Sequence, residues 1–148
     1  MSVIKMAEQI KQIHPNYLLI FKVGAFCLTY GKDSYIIAAN FNYMLKITSG
    51  VQSCGFSKKV LRKVMATLED RKINYLVIEP RNDYDVEEKS DNKNLNTYEQ
   101  EFKASYKIVK QKAKIEKIKE RLELYIGKDE FRNIMRKVED VLDENREI

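Results

Sequence analysis

Two apolar runs separated by a single glycine constrain this chain more than any other feature. Tyr17 to Val23 is continuous and rich in β-branched and aromatic residues, and Ala25 to Tyr30 repeats the pattern. Gly24 between them permits a bulge or a tight bend, so both runs are predicted as strands. Around them the periodicity changes. Val3, Ile4, Met6, Ala7, Ile10 and Ile13 recur at spacings of three and four, which suits a short amphipathic helix stopped before Pro15. Asp33-Ser34 offers a cap for a helical segment through Ala39, closed by Asn40. Tyr43–Thr48 and Val51–Cys54, joined by Ser49-Gly50, form a predicted hairpin. Ser57 then caps a helix with Val60, Leu61, Val64, Met65 and Leu68 on one side and Lys58, Lys59, Arg62 and Lys63 on the other. Tyr75 to Ile78 returns as a buried strand.

Residues 81–97 are polar, carry Asp83, Asp85, Glu87, Glu88 and Asp91, and show no hydrophobic period, so they are predicted as a linker. From Tyr98, the positions Phe102, Tyr106, Val109 and Ala113, then Ile115, Ile118, Leu122 and Tyr125, mark a long helix stopped at Gly127. Phe131, Ile134, Met135, Val138, Val141 and Leu142 mark a second. The expected organisation is a globular domain over 1–80, a linker over 81–97 and a helical hairpin over 98–148. The fold class is α/β in the α+β sense, with a mixed sheet flanked by helices.

Several function classes find no support. The apolar runs are far shorter than the roughly 18 residues of a membrane span, and the N-terminus lacks the zones of a secretory signal, so a cytoplasmic protein is expected. Cys27 and Cys54 fit neither a zinc ribbon nor a redox pair and read as reduced buried thiols. His14, the only histidine, has no carboxylate or cysteine at ligand spacing. The glycines at 24, 31, 50, 55 and 127 never cluster into a phosphate cradle. The carboxylate pairs Glu69-Asp70 and Asp83/Asp85 read as solvated charge. No catalytic residue, metal or cofactor is expected.

Charge distribution points toward nucleic acid. Residues 1–80 hold eleven Lys and Arg against five Asp and Glu. The helix after Tyr98 carries Lys110, Lys114 and Lys117 among eight cations, while acidic residues gather after Asp129. Lysines on one helix face neutralise phosphates and release counterions, giving affinity that falls steeply with salt. An aromatic at a sheet edge can unstack a base step. Alternation along Ala25-Phe26-Cys27-Leu28 leaves open which face is wet, so from the residues alone Phe26 reads first as core, with such an aromatic as the alternative.

The stretch Phe21-Lys-Val-Gly24-Ala-Phe26-Cys-Leu28-Thr-Tyr30, with Asp33 beyond it, resembles the mismatch-recognition domain of MutS proteins. That family reads roughly Phe-Arg-x-Gly-Asp-Phe-Tyr-Glu. His14-Pro15 before the first strand, Cys54-Gly55-Phe56 before the amphipathic helix, and Tyr75-Leu-Val-Ile-Glu79 extend the likeness over residues 4–80. The resemblance implies that Phe26 is a stacking wedge and that Lys22 lies near the DNA backbone, while Lys58, Lys59, Lys110, Lys114 and Lys117 join them as nucleic-acid-binding candidates on the charge reading alone. Leu28 stands where the family has a glutamate that hydrogen-bonds the displaced base, and leucine has neither donor nor acceptor for it. The ATPase of full-length MutS proteins is not expected in this chain. Stand-alone domains of this kind also accompany reverse transcriptases of diversity-generating retroelements. The expected function is therefore a non-enzymatic nucleic-acid-binding accessory protein, in mismatch repair or beside such an element. The alternative is a protein-interaction adaptor or homodimer built on residues 98–148.

Overall fold

The structure is a computed structural model that describes residues 2–90, 93 and 97–146. Asp91, Asn92, Asn94 and Asn96, part of the predicted linker, lie outside the described residues. The described chain forms two compact units, residues 1–109 and 110–148.

The first unit is built on a six-stranded mixed sheet. Its elements are α1 (Val3–Ile13), β1 (Leu18–Val23), β2 (Phe26–Tyr30), α2 (Lys32–Phe41), β3 (Leu45–Thr48), β4 (Val51–Ser57), α3 (Leu61–Asp70), β5 (Tyr75–Glu79) and β6 (Asp85–Lys89). Strand order is β3-β4-β2-β1-β5-β6. Only the central β1–β5 pair is parallel, with Leu18 opposite Tyr75 and Phe21 opposite Ile78; the other neighbours are antiparallel.

Because side chains alternate along a strand, β1 feeds two separate cores. Leu18 and Ile20 join Ile36, Ile37, Val64, Leu68 and Tyr75 on the side covered by α2 and α3. Leu19 and Phe21 join Ala7, Leu76 and Ile78 on the other side, where α1 lies with Val3 and Ile10 against them. β1 is therefore buried on both faces, which explains why its sequence is a continuous apolar run rather than an alternating one. Truncating a fully buried member such as Ile20 to alanine would cost about 2–5 kcal/mol through lost transfer energy and the cavity left behind.

The predicted linker contains a strand. Pro80–Asn82 form a single 3₁₀ turn, and β6 follows, antiparallel to β5 with a register shift at Val77/Ile78. An edge strand needs only one ladder of backbone hydrogen bonds and little burial. β6 is held by that ladder and by ion pairs, Lys22 Nζ to Glu87 Oε2 at 2.8 Å and Arg62 to Glu88 at 2.7 Å. Its sequence, Asp-Val-Glu-Glu-Lys, is accordingly charged and without period.

Residues 98–109, predicted as part of a separate hairpin, pack on the sheet domain. They open α4 (Thr97–Glu123), whose Tyr98 is fully buried while Phe102 and Val109 lie against the core. Asp33 also departs from its predicted role. α2 starts at Lys32 with Gly31 in the cap position, and the Asp33 carboxylate turns inward.

The second unit comprises the rest of α4 and α5 (Phe131–Glu144). Past Lys110 the Phe102-Tyr106-Val109 stripe gives way to Ile115, Ile118 and Leu122. Gly127 takes the left-handed conformation (φ +79°) in the connecting turn, as a residue without Cβ does most readily. Ile118, Leu122 and Tyr125 share an apolar crevice with Ile134 of α5. No residue of α5 is fully buried, and Val141 and Leu142 are 56% and 65% exposed.

Candidate nucleic-acid interface

β1 and β2 are joined by a two-residue turn, Gly24-Ala25, with Val23 opposite Phe26. Gly24 has φ +61°, the left-handed first turn position that a tight hairpin reserves for glycine. The turn brings Phe26 to the very end of the sheet, where its side chain is 57% exposed. Pairing places Phe26, Leu28 and Tyr30 on the side of the sheet that bears Phe21, the side where α1 packs over β1 and β5. This geometry decides between the two readings of Phe26: it is a surface aromatic.

The same sheet end carries cations. Ser57 pairs with Phe26, and the next backbone N–H, that of Lys58, donates to the Ala25 carbonyl at 3.0 Å. Ser57 Oγ accepts the Lys59 N–H at 3.2 Å, so the predicted cap exists, although it caps a 3₁₀ turn over Lys58–Val60 that leads into α3. Lys58 is half-buried and Lys59 exposed. The sequence spacing between Phe26 and these lysines conceals a juxtaposition that the ladder creates.

Lys22 is placed differently. As the cross-strand partner of Cys27 it faces away from Phe26, and its ammonium is held by Glu87. The hydrogen bond it donates to Glu87 raises its pKa above the ordinary lysine value, against a smaller opposing effect of burial. Lys110, Lys114 and Lys117 are exposed on α4 at spacings of four and three, hence on one helix face, and belong to the second unit. The seven predicted site residues thus divide. Phe26, Lys58 and Lys59 gather at one sheet end, Lys22 lies on the reverse face, and the three helix lysines form a stripe of their own.

Cys27 and Cys54 are free, buried thiols pushed up to about 11 by burial, slightly eased by Lys58 and Lys22 near Cys27 and by Lys46 near Cys54. His14 sits edge-on to Tyr17 at 5.6 Å between ring centroids. Among the described residues no group of three or more His, Cys, Asp or Glu stands together to hold a metal. None of the described helices is long and apolar enough to cross a membrane.

A polar cluster that sequence reasoning misses lies beneath α1. The Asp33 carboxylate accepts the Lys11 ammonium at 2.6 Å, the Leu19 N–H at 3.0 Å and the Tyr98 hydroxyl. Lys11 also donates to the Tyr17 carbonyl at 2.5 Å and lies 4.2 Å from the centre of the Tyr98 ring. Burial lowers the Lys11 pKa, with Asp33 pulling the other way, and burial followed by the Asp33 charge raises that of Tyr98. One signal was available: Lys11 continues the apolar row Ile4-Ala7 of α1, where an unpaired lysine would be costly. A cavity of about 370 Å³ beside it is walled by Ile4, Ala7, Leu19, Phe21, Tyr30 and Val51.

A family model, MutS domain I, matches residues 2–115. The match extends past residues 4–80, through β6 and into α4. No curated protein matches the chain at a significant level.

Proposed function

The chain belongs to the MutS domain I family, and from that premise we propose that it is a non-enzymatic DNA-binding accessory module. Its contact surface is the sheet end bearing Phe26, Lys58 and Lys59. MutS domain I is a DNA-binding domain, tied to mismatch recognition in the MutS context. The observation that carries the reading is the 57% exposure of Phe26 next to a lysine pair. A solvated aromatic flanked by cations suits insertion beside a base while phosphates are neutralised. Lys110, Lys114 and Lys117 add sequence-independent affinity along one helix face. The module serves mismatch repair or a reverse-transcriptase-based retroelement in the cytoplasm. It works by binding rather than by turnover.

Titration of labelled duplex and single-stranded DNA over a salt series tests this. Affinity falls as salt rises, and reversing the charge at Lys110, Lys114 and Lys117 weakens binding to every sequence alike. Binding indifferent to salt contradicts it.

A second reading has its own support. No residue of α5 is fully buried, and Val141 and Leu142 are more than half exposed. In this reading residues 110–148, the part of the predicted hairpin that lies beyond the sheet unit, form an adaptor surface for a partner or a second copy, and making Phe131, Ile134 and Val138 polar abolishes the complex. A monomer that captures nothing contradicts it.

A further inference from the structure

Residues 110–148 are about a quarter of the chain, yet they hold eight of the sixteen large apolar side chains exposed among the described residues. Apolar surface concentrated in this way marks an interaction site. On α4, Ile115, Ile118, Leu122 and Tyr125 recur at spacings of three and four, and Ile115 is 64% exposed. On α5 the stripe is wider. Phe131-Ile134-Val138-Val141 makes one seam and Met135-Val138-Leu142 a second, so α5 has apolar sides for two neighbouring helices. The hairpin supplies one. Ile134 shares a crevice with Ile118 and Leu122, whereas Lys137, Val138, Val141 and Leu142 line a groove to which α4 contributes no residue.

The charges beside these stripes indicate what covers them. Helical spacing sets Arg121 along one edge of the α4 stripe and Lys119 along the other, while Glu116, Glu120 and Glu123 lie toward the back of the helix. The α5 edges carry both signs, Glu139 with Arg132 on one and Glu144 with Lys137 on the other. Among the described residues, Lys119, Arg121, Glu139 and Glu144 make no ion pair within the chain. A second α4 laid against the first would set cation against cation. A second α5 offers a carboxylate to each edge. The chain thus carries both halves of a self-complementary surface, and a two-fold axis joins them twice.

Deepening the adaptor reading, on which it rests, we propose that this unit binds a second copy of the chain. The two hairpins close into a four-helix bundle in which each α4 lies between its own α5 and that of the second copy, with the two α4 helices diagonal. Val141 and Leu142 enter the bundle core, and Lys119 and Arg121 meet carboxylates of the other copy.

Sedimentation equilibrium of the full chain without nucleic acid, over a concentration series, tests this. The expected result is a monomer–dimer equilibrium. Val141→Asp with Leu142→Asp raises the dissociation constant at least about tenfold, because aliphatic side chains are withdrawn from both copies. Both residues are more than half exposed in the single chain, so its circular dichroism stays native. Lys119→Gln with Arg121→Gln, outside the proposed DNA contacts, weakens the dimer severalfold, the scale of a few exposed ion pairs. Glu139→Gln with Glu144→Gln does the same, although it shifts net charge the opposite way. A dimer strengthened by neutralising Lys119 and Arg121 would set α4 against α4 and overturn the arrangement. A chain that stays monomeric at its highest soluble concentration overturns the inference outright. If that monomer still forms a complex with a different protein through residues 110–148, the adaptor reading survives; if it forms none, both fall.

Discussion

The Tyr98 hydroxyl donates to the Asp33 carboxylate, joining the first turn of α4 to the first turn of α2 across 65 residues of chain. That carboxylate also neutralises Lys11 and satisfies the Leu19 N–H. One buried acid thus ties together two helices on one side of the sheet, the central strand and the helix on the other side.

Removing it should be severe. Asp33→Ala leaves a half-buried ammonium, a buried hydroxyl and a backbone N–H without their partner, and a broken buried ion pair costs about 3–5 kcal/mol. Tyr98→Phe deletes one hydrogen bond and should cost about 1–3 kcal/mol. Urea unfolding of both variants checks the order. Equal, small losses would show that the cluster does not anchor α4.

Stability should fall at alkaline pH. Burial holds Cys27 and Cys54 at about 11 against 9.0 for a free thiol, so the unfolded chain sheds these protons first. Across that window the folded form binds more protons, and stability present below pH 9 is lost as pH rises toward 11. The raised Tyr75 and Tyr98 hydroxyls act in the same direction, while the lowered Lys11 opposes them. Urea midpoints should drop between pH 8 and 10.5, and Cys27→Ala with Cys54→Ala should flatten the drop. A pH-independent midpoint would contradict the burial account.

Glu87 should restrain DNA binding. It occupies Lys22 at 2.8 Å in an exposed ion pair whose loss costs the fold little. Glu87→Gln should strengthen DNA binding and, if the freed lysine reaches one phosphate, steepen the salt dependence by about 0.9. An unchanged or shallower slope would remove Lys22 from the interface.

Gly55 and Leu28 should be coupled. Gly55→Ala forces the far end of Leu28 aside, at a cost of about 1 kcal/mol. In a Leu28→Ala background the same substitution should be nearly free, a difference readable in a double-mutant cycle. Additive costs would mean that Leu28 does not lie over Gly55.

The sequence displays the elements that bury apolar residues and hides those that do not. β1, β2, β4 and β5 are visible because their residues fill two cores. β6 is invisible because its glutamates face Lys22 and Arg62 and its backbone supplies the rest. Tyr98 and Phe102 are legible as helix, yet what they pack against is set by Asp33 and Tyr35, more than 60 residues earlier in the chain. Phe26 was visible as a candidate but not as exposed. Alternation fixes that it shares a face with Leu28, and only the position of α1, over β1 and β5 rather than β2, leaves that face open.

The central claim is that Phe26 belongs to the binding surface and not to the core, and one variant tests it. Phe26→Ala should be measured in parallel for urea unfolding and for binding to a duplex with a single abasic site. Stability should stay within about 0.5 kcal/mol, as for a surface substitution. Affinity should fall about tenfold, the worth of one lost stack. Loss of about 3 kcal/mol or more of stability with DNA binding unchanged would make Phe26 a core residue and contradict the account.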